Sequence, residues 1–148
     1  METFTASRTF DVPAAAAWAV VADHGRDHQW RDGVLEMGSQ PAGLLTPGAA
    51  FHEVLRLGGR TYRNGGVIER VVPGERFDWR TTSGADAHGS RTIRPLGPGR
   101  CEVDLVLHVE PHGANRLLMP VLRGVLAKGL RADLERLGAL LAREVAPV

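Results

Sequence analysis

The chain has 148 residues, a length that fits one domain with a sizeable hydrophobic core. Apolar residues make up 43% of it and charged residues 24%, which excludes a disordered chain. The net charge of +1 lacks the basic character of nucleic-acid-binding proteins, and the single Cys101 excludes an internal disulfide. The start, METFTASRTF, lacks the apolar core of a signal peptide, and no apolar run is long enough for a bilayer-spanning helix. We therefore expect one cytoplasmic domain over residues 1–148, with no membrane insertion and no nucleic-acid partner.

The amino-terminal segment predicts a strand followed by two short helices. Residues 3–10 alternate in side-chain character, as in a half-buried strand. Asp11-Val12-Pro13 predicts a helix start, with Asp11 as an acidic cap and Pro13 in the first turn. Residues 14–22 continue that helix, and the polar residues 23–30 form a second short helix or a tight connection.

Turn signals divide the middle of the chain into short strands. Glycine and proline pairs such as Gly58-Gly59 and Pro73-Gly74 separate the apolar runs. The predicted strands are 33–40, 49–57, 60–72, 75–83, 87–95 and 100–110. In the last of these, apolar residues alternate with polar ones, which is typical of an antiparallel sheet with helices on one side.

A long amphipathic helix is predicted from Asn115 to Glu144. Its leucines recur at steps of three and four, at 118, 122, 126, 130, 134, 137 and 141. Pro120 lacks a backbone donor, so we expect the helix to bend or to begin properly there. Asp133 interrupts the apolar stripe, where a carboxylate needs a partner. The most economical architecture is an α+β fold, with this helix across a curved antiparallel sheet of about seven strands.

Several short motifs accompany this order of elements. They are Val12-Pro13 followed by Trp18, Asp23 and Trp30; Pro47-Gly48 at the start of a strand; residues 67–73; and Leu134-x-x-Leu137 with Glu144. Together they resemble the START-like or SRPBCC superfamily, which contains polyketide cyclase/dehydrase-type proteins. The resemblance implies the helix-grip fold, with a cavity between sheet and long helix for a hydrophobic or aromatic small molecule. We expect a monomer or homodimer that needs no cofactor.

Polar residues that interrupt inward strand faces are the candidates for a site in that cavity. Glu53 shares a strand face with Phe51, and Arg91 shares one with Ile93. Since two opposite charges on an inner wall would each be costly alone, we expect Glu53 and Arg91 to lie near enough to interact. Tyr62 could add a hydroxyl group to the same wall.

Two points about this wall stay open. Either Tyr62 or Arg63 faces inward, because Gly65 and Gly66 indicate a bulge that would switch the alternation. Asp133 either lines the cavity or lies at its flank, paired with a nearby arginine. The residues predicted to contact the ligand are Phe51, Trp79, Leu105, Met119, Leu122, Leu126 and Asp133.

Three functions are compatible with these features. The first is a cofactor-free cyclase/dehydratase, in which Glu53 moves protons and Arg91 or Tyr62 stabilises an enolate. The second is a non-catalytic carrier or sensor of a lipid, quinone or other hydrophobic metabolite, and the third is a protein-binding module. His24 and His28 have a spacing that zinc can use, but a third ligand is missing, so no metal site is predicted.

Overall fold

The computed structural model describes residues 1–145, which form an antiparallel sheet, two α-helices and a 3₁₀ helix. The strands are β1 (Glu2–Phe10), β2 (Val34–Gln40), β3 (Ala50–Leu57), β4 (Arg60–Val72), β5 (Arg76–Ser83), β6 (Asp86–Gly97) and β7 (Arg100–Glu110). The helices are α1 (Ala14–Val21), the 3₁₀ helix (His24–Gln29) and α2 (Ala114–Glu144). The sheet order β1-β7-β6-β5-β4-β3-β2 makes the last six strands a meander, with β1 added beside β7. The predicted α+β helix-grip architecture is confirmed.

Helix α1 begins differently from the prediction. Pro13 precedes the first helical residue, and no side chain among residues 1–145 caps this helix. Asp11 is exposed and lies 3.7 Å from Arg100 instead, so the predicted Asp11 cap is wrong. The capping aspartate is Asp23, whose Oδ1 accepts a hydrogen bond from the Gly25 backbone N–H at 3.0 Å. This bond starts the 3₁₀ helix and helps to position its polar residues.

The hydrophobic core lies between the sheet, α1 and the second half of α2. Trp18 packs edge-on against Phe77, with ring centres 6.3 Å apart and 71° between the ring planes. Leu137 of α2 is fully buried in this core. A glycine is needed at position 138, because a Cβ atom there would lie 2.9 Å from Phe10 Cε1. Gly138 therefore allows the second half of α2 to approach β1 closely.

Helix α2 starts at Ala114, one residue before its predicted start, and continues through Pro120. In its first half, Met119 and Leu122 are buried against the cavity, while Leu117 is 85% and Val121 67% exposed. Leu137 in the second half is 0% exposed and belongs to the core. The apolar stripe is therefore packed against the core along only part of its length. Although α2 has 31 residues, neither it nor another helix in residues 1–145 is long and apolar enough to cross a membrane.

Strand β4 changes its alternation later than predicted. Its register against β5 does shift at Gly65–Gly66, yet every second residue from Tyr62 to Ile68 remains on the inner face. A second register shift follows Ile68, and Val71 then packs against the core. Tyr62, not Arg63, consequently lines the interior.

Candidate functional site

A cavity of about 530 Å³ lies between the inner face of the sheet and helix α2. Its size falls within the range of small-molecule pockets, roughly 300–1,000 Å³. The wall contains each residue to which the sequence analysis gave a role: Glu53, Arg91, Tyr62, Phe51, Trp79, Leu105, Met119, Leu122, Leu126 and Asp133. Position on the wall does not establish contact with a ligand, so the roles themselves remain predictions.

Two aromatic residues on the sheet wall each lie opposite a glycine. The strand register pairs Phe51 with Gly66 and Trp79 with Gly89. A Cβ atom at position 89 would lie 2.9 Å from Trp79 Cζ2, and one at position 66 would overlap the Phe51 ring. The two aromatic rings also contact each other edge-on, with centres 6.2 Å apart. These glycines therefore let the rings lie close to the strands and leave the space above them open.

At the buried end of the cavity, Arg91 is held by Asp27 of the 3₁₀ helix. Its Nη1 and Nη2 donate to Asp27 Oδ1 and Oδ2 at 3.0 and 2.7 Å, and Nη1 also donates to the Val21 carbonyl oxygen at 3.0 Å. The guanidinium stacks on the Trp30 ring, 4.9 Å from its centre. Burial raises the pKa of Asp27, but the charge and hydrogen bonds of Arg91, with the charge of Arg31, outweigh burial and lower this pKa to about 2.

Arg31 connects this pair to Glu53. Its Nη1 donates to Asp27 Oδ2 at 2.9 Å, and its Nη2 lies 3.0 Å from Glu53 Oε2. Asn64 Nδ2 donates to the other Glu53 oxygen at 3.0 Å. Burial lowers the pKa of Arg31, but the nearby Glu53 and Asp27 carboxylates raise it more, so the net direction is upward.

The expected interaction between Glu53 and Arg91 is indirect and runs through Asp27 and Arg31. Within residues 1–145, neither a hydrogen bond nor an ion pair joins Glu53 to Arg91 directly. Each finds its opposite charge on the segment around the 3₁₀ helix: Asp27 for Arg91 and Arg31 for Glu53. The four side chains form a continuous chain of alternating charge, which we call the ion chain (Arg91, Asp27, Arg31 and Glu53).

Asp133 fulfils both alternatives left open by the sequence. It lines the cavity, and its Oδ1 accepts hydrogen bonds from Arg136 Nη2 at 2.6 Å and from the Asp32 backbone N–H at 3.3 Å. Arg136 Nε also donates to the Trp30 carbonyl oxygen at 3.1 Å, which ties α2 to the segment after the 3₁₀ helix. Burial raises the pKa of Asp133, although Arg31 and Arg136 oppose this shift.

Two buried nitrogen atoms at this end of the cavity have no hydrogen-bond partner among residues 1–145. They are Nδ1 of His24 and Nε1 of Trp30, and both side chains border the cavity. The His24 ring packs edge-on against Phe51 and Phe77, with centres 5.3 and 5.8 Å away. Burial lowers the pKa of His24 to about 3, with the Arg91 and Arg31 charges adding to this effect against Asp27, so the imidazole is neutral near pH 7.

Tyr62 belongs to a different part of the wall, close to the β3–β4 hairpin. Its hydroxyl donates to Asn115 Oδ1 at 3.1 Å, and Arg60 Nη1 donates to the same oxygen at 3.3 Å. Gly58 and Gly59 form the turn of that hairpin, with φ of 57° and 81°. The Tyr62–Asn115 bond therefore connects the hairpin to the first turn of α2.

Sequence reasoning missed Asp27, Arg31 and His24. All three lie in or next to a polar segment that was interpreted as a short helix or connection. One signal was present: Asp27 and Arg31 are four residues apart, on either side of Trp30, which is 1% exposed. His24 is buried while His28 is exposed, and residues 1–145 contain no group of three or more His, Cys, Asp or Glu side chains placed to hold a metal ion.

The sheet, the long helix and the cavity between them define a START-like, helix-grip protein. Three solved structures share this fold with the chain: a protein from Thermus thermophilus, the Zhui aromatase/cyclase from a Streptomyces species, and a START superfamily protein from Mycobacterium smegmatis. Their TM-scores are 0.82, 0.80 and 0.76, and their sequence identities are 15%, 14% and 12%. The matches cover 98%, 97% and 97% of this chain, and 100%, 95% and 99% of the respective structures.

The family described as "Polyketide cyclase / dehydrase and lipid transport" matches residues 1–142, and the chain belongs to this family. No curated protein sequence matches it. Since the solved structures are under 25% identical in sequence, they support the fold alone.

Proposed function

We propose that this protein is a cytoplasmic binder of a hydrophobic small molecule, which it holds in the cavity between the sheet and α2. The observation that carries the proposal is the cavity itself, about 530 Å³ in volume and lined by large apolar side chains of both sheet and helix. Phe51 and Trp79 offer flat surfaces to an apolar ligand, and Met119, Leu122 and Leu126 face them from α2. The family description, which names both cyclases and lipid transport, supports the same class of ligand.

Dye binding tests this proposal directly. N-phenyl-1-naphthylamine is uncharged and becomes strongly fluorescent in apolar surroundings, and we expect it to bind saturably, with one molecule per chain. Leu126→Trp should weaken this binding at least tenfold, because the indole ring would occupy the cavity. Val121→Trp is the matched control, since Val121 lies on the same helix but is 67% exposed. Absence of saturable binding, or an equal loss in both variants, would overturn the proposal.

One observation favours cyclase/dehydratase chemistry over passive carriage in the same cavity. Glu53 and Tyr62 lie on paired neighbouring strands and line the same wall, so an acid/base group and a hydroxyl donor face one space. In this second candidate function, Glu53 moves protons, and the Tyr62 hydroxyl turns from Asn115 to donate to the enolate oxygen. Arg91, the other predicted donor, is already hydrogen-bonded to Asp27 and Val21, so we assign it to positioning.

The two candidates differ in a measurable way. With a linear poly-β-ketone thioester as substrate, an enzyme should form a dehydrated cyclic product that mass spectrometry detects. Glu53→Gln should abolish that product and leave binding of N-phenyl-1-naphthylamine nearly intact, because glutamine keeps the size of the side chain and the dye carries no charge. If the substrate cyclises at the same rate with and without the protein, the protein is not a cyclase, and the carrier function is supported instead.

A further inference from the structure

We infer that the buried end of the cavity accepts uncharged ligand groups and excludes carboxylate, phosphate and sulfonate head groups. The inference rests on the proposed function and narrows its ligand class. The structural basis is the balance of charge at this end, where each arginine and each carboxylate already has an opposite partner.

Each charge at the buried end already has an opposite partner. The ion chain contains two arginines and two carboxylates, joined by contacts of 2.7, 2.9 and 3.0 Å. Asp133 and Arg136 form a second pair at 2.6 Å. Three positive and three negative groups therefore leave no net charge to attract an ionic ligand.

An anionic head group could bind here only by displacing an existing partner. Arg31 is the accessible arginine of the ion chain, and its side chain is 17% exposed against 9% for Arg91. A ligand carboxylate that took Arg31 from Glu53 would leave the Glu53 carboxylate, itself 12% exposed, without its counter-charge. An unpaired buried charge is strongly unfavourable, so the exchange is disfavoured. A cationic ligand group is disfavoured for the same reason, because pairing with Glu53 would leave Arg31 without this counter-charge.

Charged residues also occur at the rim of the cavity, but they do not alter this balance. Asp32, Arg56 and Lys128 line the cavity and are exposed to solvent. Water and salt screen such groups, so their attraction for a ligand is weak compared with that of a buried charge. The selection against ions is therefore made at the buried end.

The two partnerless nitrogens at this end do not change the charge balance. The indole of Trp30 carries no charge, and the imidazole of His24 is neutral near pH 7.

Two dyes with the same skeleton test this inference. N-phenyl-1-naphthylamine is uncharged, and 1-anilinonaphthalene-8-sulfonate adds one sulfonate group to it. We expect the wild-type protein to bind the uncharged dye at least tenfold more tightly. Glu53→Gln should raise the affinity for the sulfonate dye at least fivefold relative to the affinity for the uncharged dye, because Arg31 is then free to pair with an anion. Glu69→Gln is the matched control, since Glu69 is exposed and pairs with Arg80 on β5.

The possible results separate this inference from the proposed function. If the uncharged dye does not bind saturably, both fail. If both dyes bind the wild-type protein equally well, or if Glu53→Gln changes their ratio no more than Glu69→Gln does, the inference fails and the proposed function stands. A gain for the sulfonate dye that is confined to Glu53→Gln supports the inference.

Discussion

Asp27 holds two arginine side chains at once, Arg91 through both carboxylate oxygens and Arg31 through one. Removing its charge would leave two guanidinium groups short of a partner, so we expect Asp27→Asn to lower the free energy of unfolding by about 3–5 kcal/mol. Arg91→Met should lower the free energy of unfolding by less, because Asp27 would keep its ion pair with Arg31. Urea unfolding measures both effects. Asp78→Asn is the control: it breaks a partly exposed pair with Arg76, and should cost less than about 1 kcal/mol. Equal losses for Asp27→Asn and Asp78→Asn would contradict this account.

Single residues were predictable where strand alternation decides their direction. Glu53 and Arg91 interrupt faces whose neighbours are apolar, and both line the cavity. Their partners were not predictable, because Asp27 and Arg31 reach them from the segment around the 3₁₀ helix, 22 or more positions away in sequence. A short polar segment carries no periodicity that would indicate which of its side chains are buried. The ion chain depends on tertiary placement, which a local pattern does not contain.

Helix α2 combines a packed half and a cavity half, and this difference can be measured. We expect Leu137→Ala to lower the free energy of unfolding by about 2–5 kcal/mol, since Leu137 is fully buried in the core. Leu126→Ala should cost less, because Leu126 is half-buried and borders an existing space. Leu118→Ala, at a position that is 37% exposed, should change the stability least. Thermal or urea unfolding of the three variants checks this order, and a Leu118→Ala loss as large as that of Leu137→Ala would refute it.

The leucine spacing predicted the helix and its inner face, but not this division. Leucine steps of three or four residues keep one face apolar on both sides of Lys128, so the spacing indicates which face is apolar and not what covers that face. The same limit applies to β4. Its glycines do mark a register shift, yet the alternation changes only after Ile68, where pairing with β5 rather than local sequence decides the geometry.

At the scale of the whole molecule, the fold followed from the order of elements and their one-sided strand patterns. A meander with a long final helix has few compact solutions, so the helix-grip architecture could be inferred without the details of packing. The cavity could be expected from the same argument, because a straight helix cannot contact all of a curved sheet. The charge balance of the cavity could not be expected from this argument. It depends on Asp27 and Arg31, for which the sequence predicted no role.

Stability should fall on mild acidification, and His24 should account for most of the fall above pH 5. The pKa of His24 is about 3 in the folded protein and has a reference value of 6.5, so below pH 6.5 the unfolded chain binds a proton that the folded one does not. The stabilisation is thus complete above pH 6.5 and is lost as the pH falls towards 3, by up to about 1.4 kcal/mol per pH unit. Asp27, whose pKa is lowered, also makes stability fall with falling pH, but only below its reference pKa of 3.8. Asp133, whose pKa is raised, has the opposite effect on stability. Urea unfolding at pH 7, 6 and 5 should show wild type losing roughly 2 kcal/mol more than His24→Gln between pH 7 and 5, a difference from which the carboxylates cancel. If the two proteins lose stability in parallel over this range, His24 is protonated in the folded state, and the neutral imidazole assigned to the cavity wall is incorrect.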